Sequence, residues 1–92
     1  MLNYEPIETA ELIGARILDR VLLFAKNPGA LKAEITLPEA HDESLTYYVA
    51  GVEKGEWTVY LDGKPTEKAV AEEGYGIISF KVKKGKISLK SS

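Results

Sequence analysis

Tyr47-Tyr48-Val49-Ala50-Gly51-Val52-Glu53-Lys54-Gly55-Glu56-Trp57-Thr58-Val59-Tyr60-Leu61-Asp62-Gly63-Lys64 decides the fold of this chain. Two runs in which apolar and polar residues alternate flank a short turn, the period of half-buried strands. Glu53-Lys54-Gly55 suits a three-residue hairpin loop, a type I turn followed by glycine in the left-handed region. Such a loop sets Val52 opposite Glu56 and fixes a register. Tyr47 then faces Leu61, Val49 faces Val59, and Gly51 faces Trp57 on the buried side, the glycine leaving room for the indole. On the other side Tyr48 meets Tyr60, Ala50 meets Thr58 and Thr46 meets Asp62; pairs of this sort contribute roughly 0.2–1 kcal/mol each. The pattern specifies an architecture and no reaction.

Working outward, Asp62-Gly63-Lys64-Pro65 reads as a turn, Lys68 to Glu72 as a weak strand, and Glu73-Gly74 as another turn. Ile78, Phe80 and Val82 alternate with Ile77, Ser79 and Lys81, and the last strand puts Ile87 and Leu89 inward with Lys86, Ser88 and Lys90 outward. Matching those faces requires a two-residue loop at Lys84-Gly85 or its four-residue relative. The expected pairs are Val82 with Ile87 and Phe80 with Leu89, because a one-residue slip would expose a whole face. Upstream, Ala33, Ile35 and Leu37 alternate, and Pro38 to Ser44 is a polar loop.

Residues 16–26 admit two readings. With Thr9-Ala10-Glu11-Leu12-Ile13 they make an amphipathic helix capped by Thr9, with Ile13, Ile17 and Val21 on one stripe and Asn27-Pro28-Gly29 ending it. Alone they make a strand buried on both faces. Residues 1–15 read as a leader or linker, and residues 16–92 as an all-β domain, an antiparallel β-sandwich of about seven strands.

Composition bounds the function. Ninety-two residues suffice for one domain. An apolar fraction of 45% is that of a folded globular chain. Twelve basic against fourteen acidic residues give a net charge of −2, which argues against nucleic acid, whose phosphates need a basic face. There is no cysteine, hence no disulfide framework and no thiolate metal site. The run from Val21 to Ala25 is too short to span a bilayer, and Met1 to Pro6 lacks the features of a signal peptide. Met1 ahead of a nondescript leader also fits a piece cut from a longer protein.

No catalytic residue, cofactor site or metal site is expected. His41, the one histidine, lies with Asp42 and Glu43 in a polar loop without a second histidine to complete a metal or acid–base site. Gly74-Tyr75-Gly76 lacks the strand–glycine–helix setting of a phosphate cradle. Glu72 and Glu73 are neighbours at a turn, poorly placed to flank one bond. Tyr48, Tyr60, Tyr75 and Trp57 would stack on sugar rings if they shared an exposed face. Against this, Trp57 reads as core, and Tyr48 and Tyr60 read as packing against a neighbouring domain or against each other. Lys81, Lys83, Lys84, Lys86 and Lys90 form a basic C-terminal hairpin that would attract an acidic polysaccharide or simply keep an edge pair soluble.

The segments Arg20-Val21-Leu22-Leu23-Phe24-Ala25-Lys26, Tyr48 to Val59 with its Gly55-Glu56-Trp57, Glu73-Gly74, and Val82 to Leu89 together resemble the C-terminal β-sandwich of heparinase II/III-like polysaccharide lyases. The resemblance spans roughly residues 16–90 and is one of strands and turns. It implies a parent that cleaves uronate-containing polysaccharide by β-elimination, secreted or periplasmic, with its catalytic residues upstream; none of those motifs is matched here. It also favours strand for residues 16–26, while residues 1–15 depart from it. The first expectation is therefore a non-catalytic accessory domain that braces the catalytic region of the same protein through one face. The alternatives are a carbohydrate-binding module acting through Tyr48, Tyr60, Lys81 and Lys84, and a standalone adhesion or assembly domain.

Overall fold

A computed structural model describes residues 4–27, 34–39, 44–71 and 76–91. Its strands are β1 (Tyr4–Glu8), β2 (Leu12–Ile17), β3 (Arg20–Ala25), β4 (Glu34–Thr36), β5 (Leu45–Ala50), β6 (Gly55–Leu61), β7 (Lys64–Ala71), β8 (Ile77–Val82) and β9 (Ile87–Ser91). They form a five-stranded sheet in the order β1-β2-β3-β5-β8 and a four-stranded sheet in the order β4-β9-β6-β7. The chain is thus an all-β sandwich. All pairs are antiparallel except β3 with β5.

The alternating residues point as expected. Tyr47, Val49, Trp57, Val59, Ile78, Phe80, Val82, Ile87 and Leu89 are all buried, Trp57 completely. Each such side chain contributes about 1.5–3 kcal/mol by leaving water. Tyr47 and Phe80, opposite each other in the register, stack with ring centroids 5.4 Å apart.

The expected strand partners are corrected. β5 and β6 form no hairpin: β5 pairs with β3 and β8, and β6 with β7 and β9. Likewise β8 and β9 belong to different sheets. Tyr47 and Leu61, or Phe80 and Leu89, therefore lie on strands of opposite layers, not side by side. The physical reason is that alternation specifies which face is buried, not which neighbour supplies the backbone hydrogen bonds. Two inward faces can meet across a core about 10 Å thick as well as along one sheet. The backbone at the connection selects the crossing. Gly51 sits at φ +87°, and the Gly51 and Val52 N–H groups both donate to the Gly76 carbonyl, at 2.8 and 3.1 Å. The arch then curls over the core until the Glu53 carbonyl accepts the Trp57 Nε1–H at 2.9 Å, satisfying the buried indole. Gly51 makes room for β3 rather than for the indole: a Cβ there would lie 2.7 Å from Ala25 Cβ.

The reading of 16–26 as one element also gives way. β2 and β3 form a hairpin with Ile17 opposite Arg20, turning at Leu18-Asp19. Strand is right for β3, but only Val21 and Leu23 are buried; Leu22 is half-buried and Phe24 is 52% exposed. Thr9 caps no helix. Its hydroxyl accepts the Leu12 N–H at 3.0 Å and holds the turn between β1 and β2. Residues 4–15, expected to be leader or linker, form β1 and the start of β2 in the five-stranded sheet. Asp62-Gly63 is a turn as expected, a two-residue hairpin with both φ angles positive, the geometry that suits strand twist. β7 begins at Lys64, earlier than expected; it tolerates Pro65 because it is an edge strand.

Candidate functional site

Side chains alternate across each strand, so the registers assign every outward residue to one of two outer faces. On the five-stranded sheet a first row runs Glu8, Ile13, Phe24, Ala50, Ile77. The next runs Pro6, Ala15, Leu22, Tyr48, Ser79, and the last Tyr4, Ile17, Arg20, Thr46, Lys81. The first two rows are almost wholly apolar. Phe24 (52%), Ile13 (48%) and Ile77 (46%) are widely exposed there, as is Tyr4 in the last row.

Charge is confined to the margins of this face. At one margin Glu8 accepts from Lys26 Nζ at 2.6 Å. That hydrogen bond, with the ammonium's charge, holds the Glu8 carboxyl below its ordinary range. At the other margin Arg20 Nη1 donates to the Tyr48 hydroxyl at 2.6 Å, its guanidinium carbon 5.9 Å from the ring centroid. No described carboxylate pairs with Arg20 or with Lys81.

The outer face of the four-stranded sheet carries Glu34, Thr36, Ser88, Lys90, Glu56, Thr58, Tyr60, Lys68 and Val70. Its charges answer one another: Lys68 Nζ lies 3.3 Å from Glu56 Oε1, and Lys90 Nζ sits 4.9 Å from the Tyr60 ring centroid. A groove of about 230 Å³ opens here between Thr58, Pro65, Thr66, Glu67 and Lys68. It is below the ~300–1,000 Å³ usual for small-molecule sites. Two of its polar groups are already committed, Thr66 Oγ1 to the Val59 carbonyl and Glu67 Oε1 to the Lys81 N–H.

The sequence-predicted contact residues divide between these surfaces. Tyr48 and Lys81 share the five-stranded face. Tyr60 lies on the opposite side of the sandwich, so Tyr48 and Tyr60 make no common stacking platform. Lys84 is exposed in the connection between β8 and β9, at one end of the sandwich. That connection is fixed to the β6–β7 turn: Asp62 N–H donates to the Lys86 carbonyl at 2.8 Å, and Lys86 N–H donates to Asp62 Oδ1 at 2.9 Å. His41, Asp42, Glu43, Glu72, Glu73, Gly74 and Tyr75 lie outside the described residues. Among the described residues no group of three or more histidine, aspartate or glutamate side chains is placed to hold a metal ion.

Sequence reasoning missed Ile13, Leu22, Phe24 and Arg20 as surface residues, while the alternation in β8 set Ile77 on the side away from Ile78 and Phe80, as observed. The signal was present at β3, where Val21, Leu22, Leu23 and Phe24 are apolar at both parities. Such a run belongs to a strand covered on both sides, and this sandwich covers only one.

A family model described as the heparinase II C-terminal domain matches residues 6–91, a span that takes in the end of β1 and all of β2 as well as the later strands. Comparison with curated proteins gave no match.

Proposed function

This chain belongs to the heparinase II C-terminal domain family, and we propose from that premise that it is a non-catalytic accessory domain of a polysaccharide lyase, docked on the catalytic region through the outer face of its five-stranded sheet. The observation that carries the reading is the uncovered apolar surface of Ile13, Leu22, Phe24, Tyr48 and Ile77. At usual strand spacing and rise this face measures about 400 Å². It lies within the roughly 300–600 Å² of the largest patch on a typical monomer, a patch that is often functional. Covered by a partner, it would bury about 800 Å² in total, within the roughly 600–1,500 Å² of contacts between domains of one chain. Independent partners bury about 1,600 Å². A tethered neighbour fits that area better than a freely diffusing one.

The test compares Phe24→Asp in the isolated domain and in a protein that carries both this domain and its catalytic region. Phe24 is half-exposed, so the isolated domain is expected to keep its unfolding midpoint. The larger protein is expected to lose several degrees, with faster hydrogen exchange in β2 and β3. An unchanged midpoint and unchanged exchange in the larger protein would defeat the docking reading. The isolated domain is also expected to release no unsaturated product from uronate-containing polysaccharide; turnover by it would defeat the non-catalytic part.

A further inference from the structure

We infer, resting on the docking reading above, that the occupant of this face is an apolar surface bordered along one side by carboxylates, which meet Arg20 and Lys81. The row Tyr4–Ile17–Arg20–Thr46–Lys81 is the only one of the face with basic residues. Arg20 and Lys81 flank Thr46 on neighbouring strands, so their backbone positions lie roughly two strand spacings apart, about 10 Å. Neither side chain forms an ion pair with a described carboxylate; Glu67 meets Lys81 only at its backbone N–H. Arg20 is also held in place: the Tyr48 hydroxyl takes one of its N–H donors and leaves the rest of the fork for an acceptor.

Covering the apolar rows would draw these cations toward a drier boundary. There an unpaired charge costs more than in open solvent, and a carboxylate offsets that cost. The opposite margin needs no such help, because Glu8 already has Lys26.

A second copy of the chain does not fit. In an aligned face-to-face pair with its two-fold axis along the strands, the basic row meets its own copy, and Arg20 approaches Arg20. With the axis across the strands, that row meets the opposite margin, which sets Arg20 over Phe24 and Lys81 over Ile77. Either arrangement leaves like charges together or a charge against an apolar side chain. The occupant is therefore a different surface, and the acidic border sets the direction in which it docks.

The experiment uses a protein that carries this domain together with its catalytic region, with Arg20→Glu, Lys81→Glu, the double variant and Phe24→Asp, melted at low and high sodium chloride. The isolated domain is the control for folding. The double charge reversal is expected to lower the midpoint of the larger protein by roughly 2–4 °C at low salt, and by much less at high salt, because exposed charge pairs are screened there. The isolated domain should change less, by the Arg20–Tyr48 hydrogen bond that Arg20→Glu removes, and not at all with Lys81→Glu alone. Lys81→Glu gives an independent reading, since its side chain makes no described contact that Arg20→Glu would break. If Phe24→Asp destabilises the larger protein but charge reversal does nothing, or acts equally at all salt concentrations, the acidic border is wrong and docking stands. If neither has an effect, docking itself fails. Dimerisation of the isolated domain abolished by Phe24→Asp would replace the heterologous occupant with a second copy.

Discussion

The two outer faces of this sandwich were built by the same alternation and ended with opposite chemistry. On the four-stranded sheet the outward positions are mostly Thr, Ser, Lys and Glu, and their charges are answered locally by Glu56 with Lys68 and by Tyr60 with Lys90. On the five-stranded sheet the outward positions are mostly Ile, Leu, Phe, Ala and Tyr, with charge only at the margins. Both sheets bury apolar residues on their inner faces, Tyr47, Val49 and Phe80 in one and Trp57, Val59 and Leu89 in the other. A self-sufficient domain would show two faces like the first. The contrast teaches that one alternation can close the core from both layers and still leave one outer face polar and the other apolar.

The harshest way to break the contrast is to dismantle the apolar face. Gly14 of β2 packs so closely on β3 that a Cβ would fall 1.8 Å from the Leu22 carbonyl oxygen. Gly14→Ala must push β2 from β3, which carry Ile13, Leu22 and Phe24. The expected loss is about 3 kcal/mol in a denaturant titration, at the upper end for overpacking. A loss below about 0.5 kcal/mol would show that the two strands separate at little cost.

A gentler probe sharpens the contrast without touching the fold. Phe24→Ser and Tyr60→Ser are outward substitutions on opposite faces, each expected to change stability by about 0.5 kcal/mol or less. Only Phe24→Ser should reduce binding of an apolar fluorescent dye to the isolated domain. Equal reductions would mean that the faces are less different than their residues suggest.

The smallest effect lies at the margin. Glu8 has its pKa lowered in the folded chain by the Lys26 hydrogen bond and charge. A lowered folded pKa means that its contribution is fully present above the ordinary glutamate value and fades as pH falls through the lowered one. Wild type should therefore lose its small stability advantage over Glu8→Gln across that acid interval, and added salt should shrink it. A difference that stays constant from neutral to strongly acid pH would remove the pair from the account.

Much of the fold was legible in the sequence, and the limits have physical causes. Trp57, Val49, Phe80 and Leu89 announced their inward orientation through parity. Partnership did not follow, because an arch and a hairpin both satisfy the same alternation, and the Gly51–Gly76 hydrogen bonds that select the arch are long-range. β1 was hidden because Tyr4, Glu5 and Pro6 are the residues of an exposed edge, and Glu8 adds another charge. β2 and β3 mimicked a helix because Ile13 and Ile17 face outward while Leu12, Val21 and Leu23 face inward; apolar residues on both sides erase the period of two. The ambiguity that blurred the sequence there has the same origin as the candidate site. The resemblance to heparinase II/III-like lyases pointed to the correct family without locating the face.

The parallel alignment of β3 with β5 has a kinetic consequence. Strands running the same way cannot be joined by a tight turn, so the chain must leave the five-stranded layer after Ala25, contribute β4 to the other layer, and return at Leu45. The middle of each layer thus waits for distant segments to meet. Domains dominated by such closures assemble in roughly milliseconds to seconds. Through that interval an oily flank such as the one bearing Phe24 and Ile77 is adhesive, so prompt coverage by an already folded neighbour would protect the nascent chain from clumping.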